Sequence, residues 1–106
     1  MRYGLMGRVL GMADIHIRNL IEQLKAASGL ANPVDAYLHG GCLLFARMLK
    51  ARCSEGEIVY LPEYLHFVYL YRQKLYDATG NVSRVYAGAK RVAFADVPEK
   101  VLKGYC

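Results

Sequence analysis

The chain contains no apolar run approaching the roughly 20 residues that a membrane-spanning helix needs. It has no internal repeat and no low-complexity segment. Cysteine is scarce: Cys42, Cys53 and Cys106 form an odd, sparse set. Such a set excludes a disulfide framework and fits a reducing compartment in which thiols stay free, so a cytoplasmic location is expected. Basic residues exceed acidic ones to a formal net charge of +5, yet no five of them cluster. Nothing therefore reads as a nucleic-acid stripe, and the charge serves solubility, with a weak acidic partner left open. Gly4, Gly7 and Gly11 follow no predicted strand, so they do not form a phosphate loop. The segment from Met1 to Met12 carries Arg2 and Arg8 and has no small-residue cleavage site, which argues against a signal peptide.

The 106 residues suffice for one domain, 1–106, and 55% of them are hydrophobic, enough for a core without covalent staples. Asp14 is placed to cap a helix over residues 15–28, with Ile17, Leu20, Ile21, Leu24 and Ala27 at helical spacing and Gly29 as the stop. On that reading residues 1–12 form a dispensable N-terminal extension. Asn32-Pro33-Val34-Asp35 is a turn or a short helical start. His39-Gly40-Gly41 interrupts the chain, and a mostly apolar helix follows from Cys42 to about Arg52.

The second half reads as strands. Glu57–Leu61 ends at Pro62, and Tyr64–Tyr71 is rich in aromatic and β-branched residues. Arg72-Gln73-Lys74 is a polar turn, and Leu75–Ala78 is the return strand. Thr79-Gly80-Asn81 turns again, and Val82–Tyr86 and Arg91–Ala95 are expected as further strands. Asp96 is placed to cap a short terminal helix with Pro98 in its first turn. Helices first and an antiparallel meander after them make an α+β domain, with the helices packed on the sheet.

Three residues stand out as a candidate site. Cys42 opens a helix, where unpaired N–H groups and partial positive charge favour a thiolate and can hold an oxyanion. Its plain alternative is a buried structural cysteine. His66 lies in a strand of apolar and aromatic neighbours and needs a polar partner, for which Cys42 is one answer. Asp77 follows from hairpin parity. With Arg72-Gln73 as the turn, Tyr71 faces Lys74, Leu70 faces Leu75 and Val68 faces Asp77, so Asp77 shares a face with His66 one diagonal step away. A four-residue loop keeps that parity, and a three-residue loop without a bulge reverses it. Asp77-Ala78-Thr79-Gly80 is equally a good local turn.

Gly40-Gly41-Cys42-Leu43-Leu44-Phe45-Ala46-Arg47-Met48-Leu49 resembles the nucleophile helix of small papain-like cysteine peptidases of bacteria and phages. His66-Phe67-Val68-Tyr69-Leu70-Tyr71 and the later Asp77-Ala78-Thr79-Gly80 resemble their histidine strand and the return strand ending in Asp-x-x-Gly. The resemblance covers roughly residues 38–80. It implies a minimal papain-like fold, with Cys42 as nucleophile, His66 as general base and acid, and Asp77 as the orienter of His66. Papain itself has an upstream glutamine as oxyanion donor. No Gln lies between Leu24 and Cys42 here, which leaves His39 or Tyr37 as substitutes.

The function these residues point to is a cysteine-dependent hydrolase or acyl-transfer domain acting on an amide or thioester bond of a protein or peptide, with no cofactor and no metal. Zinc held by His39, Cys42, His66 and Asp77 is a weaker alternative, since the spacing matches no closed-site pattern. His16 reads as a surface residue. The contrasting reading is a non-catalytic binding or inhibitor protein of phage or mobile-element origin. It would act through the tyrosine-rich hairpin of Tyr60, Tyr64, Tyr69, Tyr71 and Tyr76, although cross-strand pairing of those rings is the simpler account. No membrane partner is expected, and the oligomeric state is open.

Overall fold

The computed structural model describes the backbone of residues 2–104 and the side chains of residues 13–104. Cys106 and the side chains of the proposed extension lie outside the described residues.

Helix α1 spans Arg2–Ala27, α2 Pro33–Leu38 and α3 Cys42–Arg52. A sheet of β1 (Glu57–Leu61), β2 (His66–Tyr71), β3 (Lys74–Asp77), β4 (Gly80–Asn81) and β5 (Val92–Ala93) follows, and α4 spans Glu99–Lys103. Strand order is β4-β3-β2-β1-β5 with every pairing antiparallel. The fold is α+β, with N-terminal helices packed on an antiparallel sheet. Among the described residues no helix is long and apolar enough to cross a membrane.

One face of the sheet carries the helices. Ile17, Ile21 and Leu24 of α1 and Phe45 and Leu49 of α3 pack with Tyr69, Tyr71 and Tyr76. Cys42, Leu43 and Ala46 continue that layer against Ile58, Tyr60 and Phe67. The opposite face buries Val59, Leu61, Val68 and Leu75 beneath Val82, Tyr86 and Ala89. Both faces are thus covered, the first by helices and the second by the chain from 82 to 90. Of the five hairpin tyrosines, only Tyr64 is exposed, at 52%. Tyr60, Tyr69, Tyr71 and Tyr76 are interior, which corrects the tyrosine-rich surface expected for a binding protein. Aromatic rings alternating along half-buried strands bury large apolar areas, and here they build the core.

Several local expectations differ from the structure. Asp14 does not cap α1, which runs unbroken from Arg2 through Gly4, Gly7 and Gly11. Helix-interior glycine costs about 1 kcal/mol each but does not forbid a helix. The Asp14 carboxylate instead accepts hydrogen bonds from Tyr76 Oη (2.6 Å) and Asn81 Nδ2 (3.1 Å), pinning α1 to β3 and β4. Residues 82–86 are not a strand. Ser83 N–H turns back to Asn81 Oδ1, and Ser83 Oγ accepts the Leu75 N–H that a longer ladder would have used. The Arg91–Ala95 strand is reduced to Val92–Ala93, followed by a 3-10 turn over Phe94–Asp96. Asp96 therefore sits inside that turn. Pro98 holds Val97 in extended backbone (φ −77°, ψ 127°), so α4 starts beyond the reach of an Asp96 cap. The Tyr64–Tyr71 strand begins two residues late, because Tyr64 and Leu65 complete a turn in which Tyr64 N–H bonds Leu61 O (3.0 Å) and Leu65 has φ +49°.

Candidate functional site

Cys42 is the first residue of α3, and the two preceding glycines explain how it gets there. Gly40 has φ +101°, a conformation L side chains rarely adopt. Gly41 N–H bonds Ala36 O (3.1 Å), and a Cβ at Gly41 would lie 2.7 Å from that same oxygen. The end of α2 and the start of α3 therefore touch backbone to backbone. Leu43, Phe45, Ala46 and Leu49 anchor the helix inward, while Leu44 and Arg47 face solvent, so α3 is sided rather than apolar all round. Cys42 itself is only 3% exposed.

His66 opens β2 and Asp77 closes β3. The hairpin turns through Arg72 and Gln73, both at positive φ (48° and 66°). Tyr71 pairs with Lys74, Leu70 with Leu75 and Tyr69 with Tyr76. This two-residue turn is the parity that puts Asp77 on the face of His66. His66 Nε2 lies 2.9 Å from Asp77 Oδ2, and the two residues are 6% and 5% exposed. A carboxylate only accepts, so Nε2 carries the proton and Nδ1 is left for the other neighbour. Cys42 is the other side chain that acts on this ring. Burial alone would push the His66 ring down. Hydrogen bonds from the ring to Asp77 and Cys42, together with the charges of both, outweigh burial and raise it from 6.5 to about 9. Burial would also raise the Asp77 carboxyl, but His66 and Thr79 hold it below its usual 3.8.

The turn reading and the orienting reading of Asp77 coexist, one on each oxygen. Thr79 N–H donates to Asp77 Oδ1 (2.8 Å), as does the Thr79 hydroxyl, while Oδ2 serves His66. The structure thus brings Cys42, His66 and Asp77 into one buried constellation at the end of the sheet.

Other candidates lie elsewhere. His39 is 75% exposed at its side chain and pairs with Asp35 (3.5 Å), and Tyr37 is buried with its ring centroid 4.8 Å from that of Phe45. His16 is exposed. Among the described residues no group of three or more His, Cys, Asp or Glu is arranged to hold a metal ion. Two neighbours of the constellation were not singled out from sequence. Thr79 was legible only as part of a turn, although its spacing from Asp77 is that of an Asx-type turn. Tyr86 carried no local signal. Its ring lies 5.6 Å from the His66 ring and 4.8 Å from the Tyr64 ring, centroid to centroid.

No curated protein and no solved structure matches the chain. A family model described as phage YunG-like protein matches residues 17–103, a span that includes Cys42, His66 and Asp77. With nearly the whole described fold inside that match, the chain belongs to the phage YunG-like family.

Proposed function

We propose that this chain is a papain-like cysteine-dependent hydrolase or acyl-transfer domain acting on an amide or thioester bond in a protein or peptide. The observation that carries the reading is the His66–Asp77 contact of 2.9 Å beside a cysteine at a helix N-terminus. With the thiol proton held on His66 Nδ1, Cys42 Sγ attacks the carbonyl carbon and a C–S bond forms. The oxyanion is stabilised by N–H groups of the first turn of α3. His66 Nδ1–H then protonates the leaving amine or thiolate as its bond to carbon breaks. Water, or an acceptor nucleophile, attacks the thioester carbonyl and gives its proton to His66, and the C–S bond breaks to release the acyl product and return Cys42 Sγ beside the protonated ring. Asp77 keeps the ring in the productive tautomer throughout.

The test is alkylation of Cys42 by iodoacetamide across pH, in wild type and His66→Ala, with Cys53 as internal reference and circular dichroism to confirm folding. The expected result is a pH profile for Cys42 that changes when His66 is lost. A profile identical in both proteins would overturn the reading.

A second reading is favoured by the phage character of the family: a non-catalytic protein that binds a host component. Cys42→Ser separates the two. An enzyme loses its effect while remaining folded, whereas a binding protein retains it and loses it on substitution of an exposed aromatic residue such as Tyr64.

A further inference from the structure

Cys42 is nearly sealed from solvent, and the chain from 83 to 90, which reaches the His66 ring through Tyr86, lies outside the sheet ladder. That segment is secured at its two ends. At one end Ser83 Oγ accepts Leu75 N–H (3.0 Å). At the other Lys90 N–H bonds Glu63 Oε1 (2.8 Å), next to Tyr64. Between these anchors Arg84, Val85, Ala87 and Gly88 are exposed, and Gly88 sits at φ +78°. Tyr86 is the one large side chain of this strap that turns inward. It packs over the opposite-face core, against the His66 ring and edge-on to Tyr64. Burial and the nearby charges of Asp77, Tyr64 and Cys42 all push its hydroxyl upward, which keeps the phenol neutral against the site.

We propose that Tyr86 is the access-determining residue of the Cys42 site: an aromatic gate, braced on Tyr64, that covers the His66 ring and swings out with the 83–90 strap to admit a substrate. The proposal rests on the Cys42 site described above, but it concerns entry rather than chemistry. A strap tied at both ends and held in the middle by one ring moves as a unit once that ring leaves, because its other members bury little surface. Tyr86 is a positioning and gating residue here, not a catalytic one.

The experiment compares a small and a bulky thiol reagent, iodoacetamide and fluorescein maleimide, on wild type, Tyr86→Phe and Tyr86→Ala. Rates at Cys42 and Cys53 are read separately by peptide mass spectrometry. In wild type the bulky reagent should be strongly disfavoured at Cys42 relative to Cys53. Tyr86→Ala should raise the bulky-reagent rate at Cys42 at least tenfold while leaving Cys53 unchanged, and Tyr86→Phe should behave as wild type. An unchanged Cys42 rate in Tyr86→Ala, or an equal rise at both cysteines, overturns the gate. Should Tyr86→Ala fail to fold, Tyr86→Leu carries the same test with the same outcomes. The gate and the nucleophile fail separately: size discrimination reports the former, and the His66 dependence of the pH profile reports the latter.

Discussion

Replacing Asp77 with asparagine tests whether the buried pair behaves as its geometry requires. Burial disfavours a charged His66, yet Asp77 first and Cys42 second raise the ring from 6.5 to about 9. That rise corresponds to on the order of 3 kcal/mol of preference for the charged ring. Asn keeps the shape but offers one acceptor where Asp77 uses two. If its oxygen stays with Thr79, its NH2 group faces His66 Nε2 and forces the ring into the wrong tautomer. If it turns to His66, the Thr79 N–H loses its acceptor. Either way most of the stabilisation of the charged ring is removed. A group whose pKa is raised on folding contributes its stability below the unfolded value of 6.5 and loses it as pH climbs through about 9. Asp77 is shifted the other way, so its share is present above 3.8 and fades as pH falls below that. The Asp77→Asn deficit should therefore be about 2–3 kcal/mol at pH 5–6, somewhat smaller at pH 7 and mostly gone by pH 10. Urea denaturation at those pH values measures it, and the imidazole proton shifts of His66 give the midpoint directly, which should fall from about 9 toward 6.5 or lower. A variant as stable as wild type at pH 6, with the His66 midpoint unmoved, would refute the reasoning.

Two further substitutions probe the supports. Thr79→Val removes the hydroxyl from Asp77 Oδ1 while the Thr79 N–H remains. It should cost about 1 kcal/mol and lower the His66 midpoint slightly, with Thr79→Ser restoring both, as read by denaturation and NMR titration. Gly56→Ala drives a Cβ into Tyr69 Cζ and to 2.7 Å from Leu70 O, where Tyr69 Oη accepts the Gly56 N–H (3.0 Å) and donates to Cys53 O. The overpacking should cost about 1–3 kcal/mol, with about 1 kcal/mol more for the displaced hydrogen bond. Urea midpoints equal to wild type would show that this turn can yield.

What the sequence determined by itself was local. Gly40 and Gly41 set the start of α3 at Cys42, because only glycine permits the positive φ at 40 and the 2.7 Å approach at 41. The polar Arg72-Gln73 turn set the parity of β2 and β3, and period-two alternation then brought Asp77 to the face of His66. What the tertiary structure decided was everything whose partner lies far along the chain. Asp14 carries a strong helix-cap signal, yet it serves Tyr76 and Asn81, 62 and 67 residues later, and those contacts hold it inside a longer helix. Val82–Tyr86 has strand composition, but Asn81 and Ser83 side chains end the ladder and fold the segment over the second face of the sheet. The hairpin tyrosines follow the same logic. Alternation relates the rings within each strand, but only the docking of α1 and α3 made the side of Tyr69, Tyr71 and Tyr76 the interior, while Tyr64 stays outside in the turn before β2. Backbone geometry acts over a few residues and can be read in order along the chain, whereas burial depends on which distant surface arrives to cover a residue.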